Sequence, residues 1–238
     1  MNQNASVRQD KAGSELSSRV RRRIVQVVGQ FVFLAASMFV TAGRFDWLWA
    51  WAYIVAGIAI LAVNTLVMPR ELVALRGEGT EEAKPWDRKI TALSLLPTTA
   101  IPIVSGLDER FGWSPEMGVA VHLAGLALMF VGQGLFTWAM VSNPFFSTMV
   151  RIQMDRGQTV ATRGPYRWVR HPGYVGYTLS AVSTGLLLGS LWALVPAFLT
   201  GVLLVVRTAL EDRTLLEELP GYEEYARQVR YRLVPGVW

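Results

Sequence analysis

In the stretch GPYRWVRHPGYVGY, residues 164–177, Arg167, Arg170 and His171 stand among three tyrosines, two prolines and three glycines. Gly164-Pro165 predicts a turn, and Pro172 restricts His171 to extended geometry. A helix is expected to begin near Gly173. A helix N-terminus with free amides beside Arg and His suits a carboxylate or phosphate. Tyrosines suit an aromatic ring face or a ribose hydroxyl. A second polar cluster follows the next apolar block: Arg207, Glu211, Asp212, Arg213, Glu217, Glu218, Tyr222, Tyr225 and Arg232. Arg207 and Glu211 are four apart, share a helix face and can pair. At a membrane boundary such a pair is costly unless it has partners or a purpose. The same residue types also serve as interfacial anchors and topology signals, and the residues alone leave both readings open.

These clusters must be positioned by apolar elements. The chain has 238 residues, 52% hydrophobic and only 17% charged, where a soluble domain carries about a quarter charged. An all-α integral membrane bundle of about six transmembrane helices is expected. Residues 1–23 are expected as a disordered basic tail ending in RVRRR. Residues 24–142 hold four spans: about 24–42, 47–68, 90–107 (with Pro97 and Pro102) and 116–141. Residues 143–238 form a C-terminal region with a polar loop, an apolar hairpin at 173–206 and an amphipathic tail at 207–238. The block 173–206 exceeds the roughly 20 residues of one span, and Gly189-Ser190 divides it. Gly185 and Gly189 could allow close helix approach or only mark the turn. Val40-Thr41-Ala42 resembles a signal cleavage site, but the preceding apolar run exceeds the usual ~7–15 residues.

Six spans put both termini on one side. Of 23 Lys and Arg, 21 then lie on that side, and only Arg44 and Arg110 lie opposite. By the positive-inside rule that side is cytoplasmic, as expected for a multi-pass protein of a bacterial cytoplasmic membrane. The 164–177 motif and the tail meet there. The basic residues border spans and form no stripe, so nucleic acid is not an expected partner; membrane lipids are. With no cysteine, disulfides, thiolate zinc sites and cysteine nucleophiles are excluded. His122 and His171 fall at opposite ends of the bundle and His122 reads as structural, so no metal is expected. There is no P-loop, no GxSxG and no dinucleotide fingerprint.

Arg-His-Pro-Gly-Tyr at 170–174, the Arg207-x-x-x-Glu211-Asp212-x-x-Leu215 run, Gly221-Tyr222-x-x-Tyr225 and Arg232-Leu233-Val234-Pro235 together resemble the isoprenylcysteine carboxyl methyltransferase family and its phospholipid N-methyltransferase relatives. The resemblance covers about residues 143–238. It implies S-adenosylmethionine as cofactor and a lipophilic or lipid-linked acceptor. It further implies that Gly164, Tyr166, Arg170, His171, Pro172, Tyr174, Tyr222 and Tyr225 serve the cofactor pocket. Arg207, Glu211 and Asp212 would then stand at the reacting centre. Asp212 departs from the Glu usual in eukaryotic members, keeping the charge with one methylene less reach. A carboxylate acceptor would need a cation such as Arg207, and an amine a base such as Glu211 or Asp212. The acidic pair could equally balance the sulfonium or bind ribose. Asn64, Gln133 and Asn143 could line the acceptor cavity or bond helix to helix. The alternatives are lipid amine N-methylation, an NADPH-dependent membrane reductase, since sterol reductases share a similar C-terminal architecture, or a non-catalytic scaffold.

Overall fold

The computed structural model describes residues 3–76 and 83–238, which form eight α-helices. They are α1 (Gln3–Ala42), α2 (Leu48–Val67), α3 (Arg70–Leu75), α4 (Pro85–Phe111), α5 (Val119–Ser142), α6 (Pro172–Leu187), α7 (Leu194–Glu218) and α8 (Tyr222–Gln228). Residues 1–2 of the expected tail and 77–82 of the expected loop lie outside the described residues. Helix ends fall where chemistry dictates. Gly43 and Gly112 adopt positive φ and return their amides to Phe39 and Asp108 carbonyls, closing α1 and α4. Pro85 and Pro172 open α4 and α6, where a missing N–H costs nothing.

Two expectations shift. The first helix does not start at residue 24: its backbone is helical from Gln3. Polar residues such as those of 14–23 extend a helix already nucleated by the apolar run, and propagation is cheap once nucleation is met. The second concerns span number. Among the described residues, five helices reach spanning length and apolarity: α1 over Ser14–Ala42, then α2, α4, α5 and α7. The first hairpin arm, α6, has 16 residues, or about 24 Å at ~1.5 Å per residue, against a hydrocarbon core of about 30 Å.

Contacts at its two ends show that α6 nonetheless traverses the bundle. Tyr174, at its start, meets Glu211 in the last third of α7. Its final carbonyl, Leu187, is 2.9 Å from His122 Nδ1 in the first turn of α5. His122 is buried and stacked on Trp49 at 4.1 Å, the structural role expected of it. At that same opposite end, Asp108 of α4 accepts from Ser190 Oγ (2.5 Å), Ser114 Oγ (2.6 Å) and the Ser114 amide (2.7 Å), pinning the hairpin turn. Among the described residues, α6 thus runs from one end of the bundle to the other beside the five longer helices.

The α5–α6 seam is the tightest in the fold. A Cβ on Gly176 would lie 2.5 Å from the Gly132 carbonyl oxygen and 2.6 Å from the Phe136 amide nitrogen. Small residues permit such backbone approach where lipid offers no hydrophobic drive for association. The Gly185-x-x-x-Gly189 pair has another use: Gly189, at φ 75°, makes the turn. Gly176→Ala is expected to cost about 1–3 kcal/mol by overpacking. This would be read as a fall of several degrees in thermal unfolding of the detergent-solubilised protein. Gly134→Ala, which would meet nothing within 4 Å, should leave the midpoint unchanged or raise it; equal behaviour of the two would refute the seam.

Candidate active site

The clusters at 164–177 and 207–232 meet, as their spacing requires, and Asp212 is the meeting point. Its carboxylate is fully buried. Oδ2 accepts from Arg170 (2.9 Å) and from Arg232 Nε (2.8 Å). Oδ1 accepts from the Tyr222 hydroxyl (2.8 Å) and lies 3.2 Å from His171 Nε2. Four groups from the motif, α8 and the tail thus converge on one residue of α7. Backbone bonds reinforce the knot: the Arg170 and His171 amides donate to the Tyr231 and Arg232 carbonyls, each at 2.9 Å. The tail is thereby strapped across the entrance to α6.

One layer away, Arg207 meets a partner that the sequence gave no reason to choose. Asp87, in the first turn of α4, is fully buried and takes Arg207 Nε at 2.7 Å and an Nη at 3.1 Å. Its Oδ2 also accepts the Val150 amide (2.7 Å), and Arg207 donates to the Thr148 carbonyl (2.9 Å). A charge buried at 120 residues' separation would be costly alone; the bidentate geometry and extra bonds offset that. Arg207 also lies 5.4 Å from the Tyr174 ring centre, and the Tyr174 hydroxyl donates to Glu211.

These groups wall a cavity of about 350 Å³, within the range of small-molecule sites. Tyr166, Arg170, His171, Tyr174, Arg207, Glu211, Tyr222 and Tyr225 line it, as does Asn143. Gln30, Leu34, Leu95, Thr98, Phe136 and Tyr177 continue it between α1, α4, α5 and α6, into the spanning part of the bundle. Other expected residues stand behind the wall. Asp212 is enclosed by its four partners. Pro172 opens α6 and is buried. Gly164, at φ 60°, sits where a side chain would strike Ser142 and Trp138 at the end of α5. Asn64 accepts from Thr137 at 2.6 Å, bonding α2 to α5. Among the described residues, no three His, Asp or Glu side chains gather as a metal site.

The tyrosines are tuned alike. Burial raises the Tyr166 phenol above its ordinary value, and raises Tyr222 with the Asp212 charge adding to it. Tyr225 is raised by burial too, and donates to the Tyr166 carbonyl at 2.8 Å. All three stay neutral O–H donors at physiological pH. Asp87 is a site residue that sequence reasoning passed over, and Arg232 is one that it named without giving it a role. Arg232 was visible as part of the tail signature; Asp87, set among Lys84, Arg88 and Lys89, reads as one charge in a basic loop.

The architecture is that of a multi-pass helical membrane protein whose buried polar site opens toward its own spanning helices. Residues 125–217 match the model of the isoprenylcysteine carboxyl methyltransferase family. This segment, which builds α5, the motif, the hairpin and the acidic pair, is where the chain is similar to that family. A probable protein-S-isoprenylcysteine O-methyltransferase of Oryza sativa subsp. indica is 30% identical over 117 residues, 46% of this chain and 59% of that protein. A protein-S-isoprenylcysteine O-methyltransferase of Schizosaccharomyces pombe is 31% identical over 116 residues, 44% of this chain and 46% of that protein. A delta(14)-sterol reductase of the same yeast is 29% identical over 153 residues, 58% of this chain and 36% of that protein. The chain thus spans roughly a third to three-fifths of the length of these curated relatives.

Asp212→Asn keeps shape but removes the charge that Arg170, His171, Tyr222 and Arg232 share. It is expected to cost about 3–5 kcal/mol, seen as a large drop in thermal midpoint; an unchanged midpoint would show that the knot carries no stability. For the second pair, Asp87→Ala, Arg207→Ala and the double variant form a cycle. Their coupling in unfolding free energy should exceed about 1 kcal/mol, whereas simple additivity would dissolve the pair.

Proposed function

We propose that the protein is an S-adenosylmethionine-dependent methyltransferase acting on a lipophilic acceptor at a carboxylate, on the cytoplasmic face. The observation that carries this reading is the single cavity that joins the Arg170–His171–tyrosine set to an apolar flank between spanning helices. A polar cofactor and a lipid-soluble acceptor need two such approaches. The family match over residues 125–217 and the names of two relatives support it.

The residues present fit the cofactor. Arg170 lines the cavity, and its Nε is buried without a protein partner, so the guanidinium keeps a donor unspent. Tyr166, Tyr222 and Tyr225 offer ring faces. When bound, S-adenosylmethionine supplies an activated methyl group on a sulfonium. The chain's own task is positional. Asp212 locks Arg170 and His171 in place from behind, which removes it as a free base. Glu211 remains in the cavity wall with the Tyr174 hydroxyl on it, giving one carboxylate that could balance a cation or accept a proton from an amine. Arg207 stands in the wall at a fixed position, its charge balanced by Asp87. A carboxylate acceptor requires no proton removal, only orientation by cations. An amine acceptor would rest on Glu211 alone.

A second reading has its own support: the similarity to a sterol reductase runs over more of this chain than the others. It makes the protein a reductase with a nicotinamide cofactor. Calorimetric titration of the detergent-purified protein separates the two. S-adenosylmethionine and S-adenosylhomocysteine should bind in the micromolar range and NADPH should not. His171→Ala should weaken binding at least tenfold, with Tyr174→Phe as a gentler variant should His171→Ala misfold. Binding of NADPH alone would move the protein to the reductases. Binding of nothing would return the motif to a membrane anchor. With labelled cofactor and separated lipid classes, base-labile label indicates an ester and base-stable label an amine.

A further inference from the structure

Among the described residues, three buried side-chain polar atoms lack any hydrogen-bond partner: Arg76 Nε, Thr91 Oγ1 and Arg170 Nε. All three belong to residues lining the one cavity that holds the candidate site. Unpaired buried polar atoms are uncommon, and each calls for an explanation. Arg170 belongs to the cofactor end. Arg76 and Thr91 do not; they lie at the end of α3 and in α4, outside the segment that carries the family match.

Arg76 differs from the other arginines of the wall. Arg207 is neutralised by Asp87, and Arg170 by Asp212. Arg76 has no carboxylate among the described residues. Its guanidinium lies 5.6 Å from the Phe136 ring centre and 5.7 Å from that of Phe146, and one Nη points at the Met140 sulfur, a weak acceptor. The two rings stand edge to face at 5.6 Å, forming a notch. Ring faces attract a cation but leave its N–H groups unsatisfied. Burial, with the Arg23 charge adding to it, pulls the guanidinium down to about 10, still protonated at neutral pH. A buried charge with no counter-ion is a strained arrangement. Phe136 also lines the apolar flank, with Leu34, Leu95 and Tyr177. Arg76, unpaired with any carboxylate among the described residues, therefore stands where an alkyl chain would end and the polar site begins.

We infer that Arg76, together with Thr91, binds the anionic headgroup of the acceptor, a carboxylate or a phosphate, while the acceptor's apolar chain fills the flank beyond Phe136. The inference rests on the acceptor reading above and deepens it. It transfers the anion-holding role expected of Arg207 to a residue that no motif marks. It also sets a selection rule. A lipid ammonium would face Arg76 with like charge, so anionic lipids enter and amines are turned away.

The test uses the full chain in zwitterionic-lipid nanodiscs and four probes of equal chain length: palmitate, hexadecyl phosphate, hexadecanol and hexadecylamine. Tryptophan fluorescence reports binding, and S-adenosylhomocysteine is titrated in parallel. Wild type should bind palmitate, hexadecyl phosphate or both at least tenfold more tightly than hexadecanol, as one charge-assisted contact warrants. Hexadecylamine should bind most weakly. R76Q should erase the preference for anions while leaving hexadecanol and S-adenosylhomocysteine unaffected; R76K should keep part of it. T91V should reduce it several-fold, and with R76K it carries the test if R76Q does not fold. Which of the two anions wins identifies the headgroup. An anion preference that survives in R76Q, or an equal loss for anion and alcohol, overturns the inference. If wild type shows the Arg76-dependent preference but ignores S-adenosylhomocysteine, the lipid-anion site stands and the methyltransferase reading falls.

Discussion

The buried carboxylate of Asp212 is the constraint from which the polar half of the molecule is built. It is removed from water, so its charge has to be met by protein groups. Arg170, His171, Tyr222 and Arg232 meet it. Because those groups come from the motif, α8 and the tail, satisfying one charge fixes three segments of chain against α7. The side chains facing the cavity are presented by what lies behind them. Asp87 repeats the device on the other flank, tying α4, α7 and the 143–171 loop to Arg207.

The division between a knot behind the wall and a free set in front of it sorts the charged residues by use. Asp212, Asp87, Arg207 and Arg232 have their hydrogen-bonding capacity spent largely within the protein. Arg170 spends part of it. Arg76 spends almost none, and Glu211 holds one tyrosine hydroxyl. The groups with capacity left are those that face the cavity, which is the pattern of a site arranged to receive something polar.

Much of this was legible from residue order. Apolar run lengths gave the helical bundle, and the order of the spans brought the two clusters to one end of it. His122 read correctly as a structural residue, because one histidine far from any polar cluster has little else to do. What escaped shares one cause. The Asp87–Arg207 pair joins positions 120 apart, and nothing in KPWDRK distinguishes an acid that will be buried from one that will be solvated. Arg76 looked like one more loop cation in the topology count; its isolation is visible only once Phe136 and Phe146 are seen to enclose it. The helical extent of residues 3–23 was hidden by composition, which reports what a segment can bury but not that a neighbouring helix will extend into it. The short α6 was hidden by the continuity of the apolar block: Gly189 divides it nearly in half, but α6 stops at Leu187 with 16 residues while α7 runs beyond the block to Glu218 with 25.

The helices that wall the cavity are joined by close backbone approach at two seams. A Cβ on Gly176 of α6 would lie 2.5 Å from the Gly132 carbonyl oxygen of α5, and one on Gly106 of α4 would lie 2.6 Å from the Met38 carbonyl oxygen of α1. Small residues permit both approaches where lipid offers no drive for association. Away from its seam, α1 turns Val25, Val32 and Phe33 outward. The same helix carries Arg19, Arg21, Arg22 and Arg23, a basic collar that anionic headgroups attract by about 1 kcal/mol per charge. One helix thus both walls the cavity and answers to the surface charge of the surrounding leaflet.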